Sequence, residues 1–149
     1  MFGCLFEIVL CETELIVDIF FDRGFANVGN EPGLLQALLY HYAGQPAKSV
    51  MRTMKLLNTT FTTDPRGLPG NDDAGSLGAY LVWIMSGLVP IAGQSVYLIL
   101  PPKFPQVQWM MLHSRIITHN FGDGNDFIQS VTVNGQSVFP ILCWVHFSG

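Results

Sequence analysis

Two turn clusters hold most of the residues in this sequence that could do chemistry. Gly29-Asn30-Glu31-Pro32 and Gly70-Asn71-Asp72-Asp73-Ala74-Gly75 both place carboxylates and amide oxygens just ahead of helix-patterned segments. Such oxygens are hard ligands, suited to Ca²⁺, which takes roughly six to eight of them at about 2.3–2.6 Å. A carboxylate at a helix N-terminus is favoured in its charged form by the dipole and by free N–H groups. That suits a general base or a nucleophile, not a general acid, which needs an apolar site. The same residue types are also ordinary helix caps. Capping needs only one short polar residue, however, and the second cluster supplies three in a row. Capping also leaves unexplained why an apolar chain gathers so much polarity on two loops. Both readings stand at this level.

The elements that must position these loops can be read from punctuation and period. Leu15 to Phe21 is an apolar run ending at Asp22-Arg23-Gly24. Leu34, Leu35, Leu38, Leu39 and Tyr42 follow the first cluster with helical spacing. Pro32 suits the first turn of that helix, with Asn30 or Glu31 as its cap. Gly44 fits just past its end, and Pro46 opens a second helix over about Ala47 to Leu57, with Val50, Met54 and Leu57 as its inner stripe. The pair forms a helical hairpin with a very short link. The loop from Asn58 to Asp73 is long and rich in turn residues, which points to function. A third helix, Ala74 to Leu88, is apolar nearly all round and is expected to be buried on every side, with Pro90 as its stop.

Beyond Gly93 the pattern changes to short runs rich in β-branched and aromatic residues: Ser95–Leu100, Val107–His113, Ile116–His119, Phe127–Val133 and Val138–His146. Asn134-Gly135 between two of them is a hairpin signal. Helices followed by strands make an α+β order with an antiparallel β region. The expected division is residues 1–92 for the helices and 93–149 for the strands.

Composition limits the function classes. The chain has 149 residues, 49% apolar and 12% charged, with a net charge of −4 and a mean hydropathy of +0.35. Soluble domains usually carry about 25% charge. Disorder is excluded, and no Lys/Arg cluster suggests a nucleic acid. The uncharged stretch from Ala74 to Pro102 is broken by glycines and prolines, so no membrane span is expected. Met1 to Phe21 carries acidic residues and no basic one, which makes a poor signal peptide. Cys4, Cys11 and Cys143 have no metal spacing and read as buried thiols. His41, His113, His119 and His146 likewise lack zinc spacing, and Trp83 reads as core, with Trp109 and Trp144 left open for sugar stacking.

GNEP before LYHYAGQP, then GLPGNDDAG, then AYLVWIMSGLVPIAGQSVYLI, resembles the C-terminal part of glycoside hydrolase family 92, calcium-dependent inverting exo-α-mannosidases. The likeness is close over Asp18 to Val107 and looser at Asp126 to Gly135. It implies Asp73 as the general base that activates water, with Asp72 and Asn71 beside it as further catalytic-site residues. Gly70, Asn71 and Gly33 fall in the substrate-binding part, and Asn30 and Glu31 match positions associated with Ca²⁺, which contacts mannose hydroxyls. The implied fold is a helical-hairpin segment of an (α/α)₆ barrel followed by the antiparallel region. The implied substrate is a mannose-containing oligosaccharide or glycoprotein glycan, in a secreted or extracytoplasmic setting. Gly33-Leu34-Leu35 departs from the polar residues the resemblance leads one to expect there. The family's enzymes are several times longer, and the catalytic acid has no counterpart in Met1 to Phe25. The expectation is therefore a fragment, inactive and poorly soluble alone, whose partner is the missing N-terminal part of the same enzyme. The alternative is a non-catalytic carbohydrate-binding relative without the general acid.

Overall fold

The protein is described by a computed structural model covering residues 2–110, 114–122 and 124–138, with backbone alone for residues 2–10. It divides by packing into two compact units, Met1–Leu81 and Val82–Gly149. Helices come first and small antiparallel strand pairs follow, so the α+β order expected from sequence is observed. Among the described residues, no helix is long and apolar enough to cross a membrane.

In the first unit, α1 (Phe2–Asp22) ends where Gly24 turns left-handed at φ +73. The Phe25 N–H then reaches Phe20 O and the Gly24 N–H reaches Phe21 O, which satisfies the last carbonyls. The segment after the first cluster is more broken than its leucine spacing predicts. It consists of a 3₁₀ turn (Glu31–Gly33), a second 3₁₀ turn (Gln36–Leu38) and the single α-turn α2 (Leu39–Tyr42). Pro32 does sit in the first of these turns, but neither Asn30 nor Glu31 caps it with a side-chain hydrogen bond. The reason is tight backbone: a Cβ on Gly33 would lie 2.0 Å from Asn27 O, so the chain folds back on itself there.

The hairpin link behaves as expected. Gly44 sits at φ +73, its N–H bonded to His41 O and the Gln45 N–H to Tyr40 O, and Pro46 opens α3 (Pro46–Thr60). The buried stripe of α3 is Ser49, Val50, Thr53 and Leu56, with Met54 and Leu57 only half-buried. The small polar residues are turned inward because α3 lies close against the turns before it. Ser49 Oγ and His41 Nδ1 form a buried 2.7 Å hydrogen bond, so His41 is a structural residue of the hairpin. Cys11, by contrast with the expectation, is an exposed free thiol, because it lies on the outer side of α1; Cys143, His113, His146 and Trp144 lie outside the described residues.

α1 and α3 are joined by charge. Glu14, Asp18 and Asp22 recur every fourth residue on α1, as do Lys48 and Arg52 on α3, so each set shares one helix face. Lys48 Nζ reaches Glu14 at 2.6 Å and Asp18 at 2.5 Å, and Arg52 reaches Asp22 at 2.7 Å and Asp18 at 3.3 Å. The buried Tyr40 hydroxyl donates to Asp18 at 2.6 Å. Leu15, Ile16 and Ile19 lie on the exposed side of the same helix.

α4 (Ser76–Ser86) is shorter than its apolar run and is not buried all round. Leu77, Tyr80 and Ile84 are buried, while Ala79 and Val82 are exposed. Gly87, at φ +81, stops the helix in place of Pro90: a Cβ there would meet Leu100 O at 2.6 Å. In the second unit Pro90 instead belongs to β1 (Leu88–Pro90), antiparallel to β2 (Tyr97–Ile99). β3 (Gln106–Trp109) pairs with β4 (Ser114–Ile117), and Trp109 stacks on Trp83 with ring centroids 4.5 Å apart. β5 (Val131–Val133) pairs with β6 (Gln136–Val138) through Asn134 and Gly135 at φ +51 and +79, a type I′ turn as the dipeptide predicts.

The network sets a pH response. Its hydrogen bond from Lys48, then that from Tyr40, holds the Asp18 carboxyl below the usual carboxylate range. Its contribution is complete above about 3.8 and is lost as pH falls through the lowered folded value. Burial, reinforced by Asp18, pushes Tyr40 up to about 12 from 10.0, so its contribution is complete below pH 10 and is lost as pH rises towards 12. Burial alone pushes Tyr80 to about 12 as well. Thermal midpoints measured across pH should fall at both ends. Asp18→Asn should flatten the acid limb, and Tyr40→Phe should shrink the alkaline limb, leaving the parts due to Tyr80 and to Lys48, which Asp18 and Glu14 hold above its ordinary value. Unchanged limbs would show that the network does not carry the response.

Candidate active site

The two clusters singled out from the sequence meet at the backbone. A Cβ on Gly70 would lie 2.5 Å from Gly29 O, and one on Gly29 would lie 2.7 Å from Pro69 O. Only two glycines allow main chains to pass this closely, and Gly70 additionally needs its φ of +81. The long loop is itself pinned. The Thr62 N–H bonds to Gly67 O, the Gly67 N–H bonds to Asp64 O, and a Cβ on Gly67 would overlap Thr62 O at 2.0 Å. The first cluster is shaped by Asn27, whose Oδ1 accepts from the Gly29 N–H at 2.9 Å and whose carbonyl accepts from the Asn30 N–H.

The three polar residues after Gly70 divide their work. Asp72 is the cap of α4. Its carbonyl accepts from the N–H groups of Gly75 and Ser76, and its Oδ1 accepts from the Gly78 N–H at 3.1 Å. It therefore supplies the partners that the first amides of a helix lack. Asp73 and Ala74 follow in left-handed conformation, φ +43 and +62, which is costly for residues with a Cβ. The Asp73 carboxylate is exposed and bonds to no other described residue, and Asn71 is exposed beside it. One carboxylate of the pair is thus occupied with the helix and the other is presented to solvent.

Asn30 and Glu31 are both exposed, on a three-residue 3₁₀ turn with too few aligned peptides for a helix dipole. Gly33 is buried under the Asn27 carbonyl. Ser76, which its type and spacing do not mark as special, ties the clusters together. Its Oγ is 2.8 Å from Glu31 Oε1 and 2.8 Å from Asp73 O. No pattern in the sequence pairs Ser76 with a residue 45 positions away. For a hard cation, Asn30 and Glu31 offer two oxygen side chains of the right kind. Among the described residues, no three of His, Cys, Asp and Glu gather into a metal-holding group, so water and substrate hydroxyls would have to supply further oxygens. The oxygen chemistry fits such an ion; the protein ligands among the described residues are too few to hold it unaided.

The glycine contact can be tested against a control. Gly44 also has a positive φ but open space around its missing Cβ, so Gly44→Ala should cost about 1 kcal/mol from backbone strain. Gly70→Ala adds overlap with the Gly29 main chain, which no rotamer change relieves, and should cost clearly more by denaturant unfolding. Equal costs would mean that the two loops are not in contact.

The sequence profile of the glycosyl hydrolase family 92 catalytic domain matches residues 10–148. An uncharacterized secreted glycosidase from Arthroderma benhamiae is 38% identical over 128 residues, covering 80% of this chain and 16% of that protein. In structure, the chain is similar to the family 92 α-mannosidase of Bacteroides thetaiotaomicron in complex with mannoimidazole, with a TM-score of 0.64 at 27% identity, covering 74% of this chain and 15% of that one. A second structure of that enzyme gives a TM-score of 0.63 over the same shares. The chain thus spans about a sixth of the length of these relatives. With the family profile matching nearly its whole length, this chain belongs to glycosyl hydrolase family 92.

Proposed function

We propose that this chain carries the base-bearing part of an α-mannosidase site acting on mannose-containing glycans, within a catalytic domain whose helices complete an (α/α)₆ barrel. The observation that supports this best is the division of labour after Gly70. Asp72 is committed to the helix, and Asp73, next to it, offers an exposed carboxylate with no other described partner.

In this reading Asp73 accepts a proton from water as the water oxygen bonds to the anomeric carbon, on the face opposite the departing sugar oxygen. The bond to that oxygen breaks, and a general acid outside the residues named here protonates it. The anomeric configuration inverts, which requires the two carboxyl groups to stand about 6.5–9.5 Å apart with the water between them. Asn71 and the Gly70 backbone orient the sugar beside the base, and Gly33 keeps the first cluster low enough for it to approach. Asn30 and Glu31, together with water and substrate hydroxyls, would hold Ca²⁺, which when bound would supply electrostatic pull on the mannose hydroxyls. Secretion is part of the same reading, by likeness to the Arthroderma protein's description.

Asp73→Asn in the full-length protein should lower kcat by about 10²–10⁴-fold while sparing substrate affinity, the usual loss for a general base. Asp72→Ala should instead lower thermal stability by about 1 kcal/mol, the worth of a cap. Retained turnover in Asp73→Asn would remove it as the base. Separately, millimolar Ca²⁺ should raise the thermal midpoint of this chain by mass action, and Glu31→Ala should abolish the rise. A midpoint indifferent to Ca²⁺ would remove Asn30 and Glu31 as ligands.

A further inference from the structure

We propose that Ser76 is a positioning residue that couples compensation of the Glu31 charge by a bound cation to the backbone turn carrying Asp73. This rests on the reading of Asp73 and Glu31 given above. The Ser76 hydroxyl stands 2.8 Å from Glu31 Oε1 and 2.8 Å from Asp73 O, yet it has a single proton to donate. The two acceptors therefore compete. A bare carboxylate is the stronger one, because charge-assisted hydrogen bonds are about twice as strong as neutral ones. With Glu31 uncompensated, the hydroxyl turns to Glu31 and Asp73 O loses that partner.

The consequence falls on a strained segment. Asp73 and Ala74 both hold left-handed backbone without being glycine, and such strain persists only where surrounding contacts fix it. The bond from Ser76 to Asp73 O is one such contact, and it closes a three-residue loop over the strained pair. When positive charge is placed on Glu31, its pull on the hydroxyl weakens, the proton swings to Asp73 O, and the turn carrying the base is locked. Binding at the first cluster thereby orders the second, through one side chain and without movement of either helix. The Gly29–Gly70 contact makes this possible by holding the two loops within reach of a single hydroxyl.

The readout is amide hydrogen exchange at Gly75 and Ser76, whose N–H groups close the turn on Asp72 O. Glu31→Gln removes the charge permanently and keeps the shape. It should slow exchange at these two amides by about fivefold, the protection expected from gaining one net hydrogen bond. In Ser76→Ala, adding Glu31→Gln should leave exchange unchanged. Ser76→Thr, which keeps the hydroxyl, should restore the response. Should Ser76→Ala not unfold cooperatively, Ser76→Cys, similar in size but a weak donor, carries the same comparison. Slowing by Glu31→Gln that persists without the Ser76 hydroxyl would overturn the coupling, as would no slowing in the parent chain. Ca²⁺ gives the independent arm: it should raise the thermal midpoint of both the parent and Ser76→Ala, but slow the two amides in the parent alone. No midpoint rise in either would defeat the calcium reading and leave the coupling to be judged by Glu31→Gln.

Discussion

Everything described at the site depends on one steric fact, that two main chains touch where Gly29 faces Pro69 and Gly70. Neither loop is regular structure, and each would otherwise be free to wander. The contact is between backbone atoms, so it has no rotamers and no tolerance, and it sets the separation of every side chain on the two loops. The Asn27 hydrogen bonds below one loop and the Thr62–Gly67 closure behind the other hold those backbones in shape for it.

From that contact follows an economy of polar groups. The amides at the start of α4 need acceptors, and Asp72 provides them with both its carbonyl and its carboxylate. The chain must then escape from the cap into the helix through Asp73 and Ala74 in left-handed conformation. The Asp73 side chain is left exposed, while the Asp72 carboxylate bonds to the Gly78 N–H of the helix. Beside this strained turn stands an acid group that bonds to no other described residue. The chain belongs to glycosyl hydrolase family 92, and the reaction proposed above gives such a group a use.

Much of this is legible in the residues themselves. Asn134-Gly135 and Gly44 with Pro46 are local signals whose physics lies within a few residues, and the structure places both accordingly. What cannot be read from sequence is what depends on contact at long range. The leucine spacing after Pro32 suggests one helix, but the buried Gly33 and the passage of Asn27 over it break the segment into 3₁₀ turns. Hydrophobicity puts the inner face of α3 on Val50, Met54 and Leu57, whereas close approach of its neighbours favours the small Ser49 and Thr53. The acidic spacing of α1 is visible, yet nothing in it names Lys48 and Arg52 as partners, and Ser76 has no signature at all.

The α1–α3 seam has a consequence of its own. Its charges are partly open to water, with Lys48 a third exposed and Asp18 a quarter, so dissolved ions reach and screen them. The glycine contact between the loops is steric and indifferent to ionic strength. Frame and site are thus held by forces that answer to different solvents: brine loosens the seam on which the helices rest while the distance between the two loops stays as the backbone sets it.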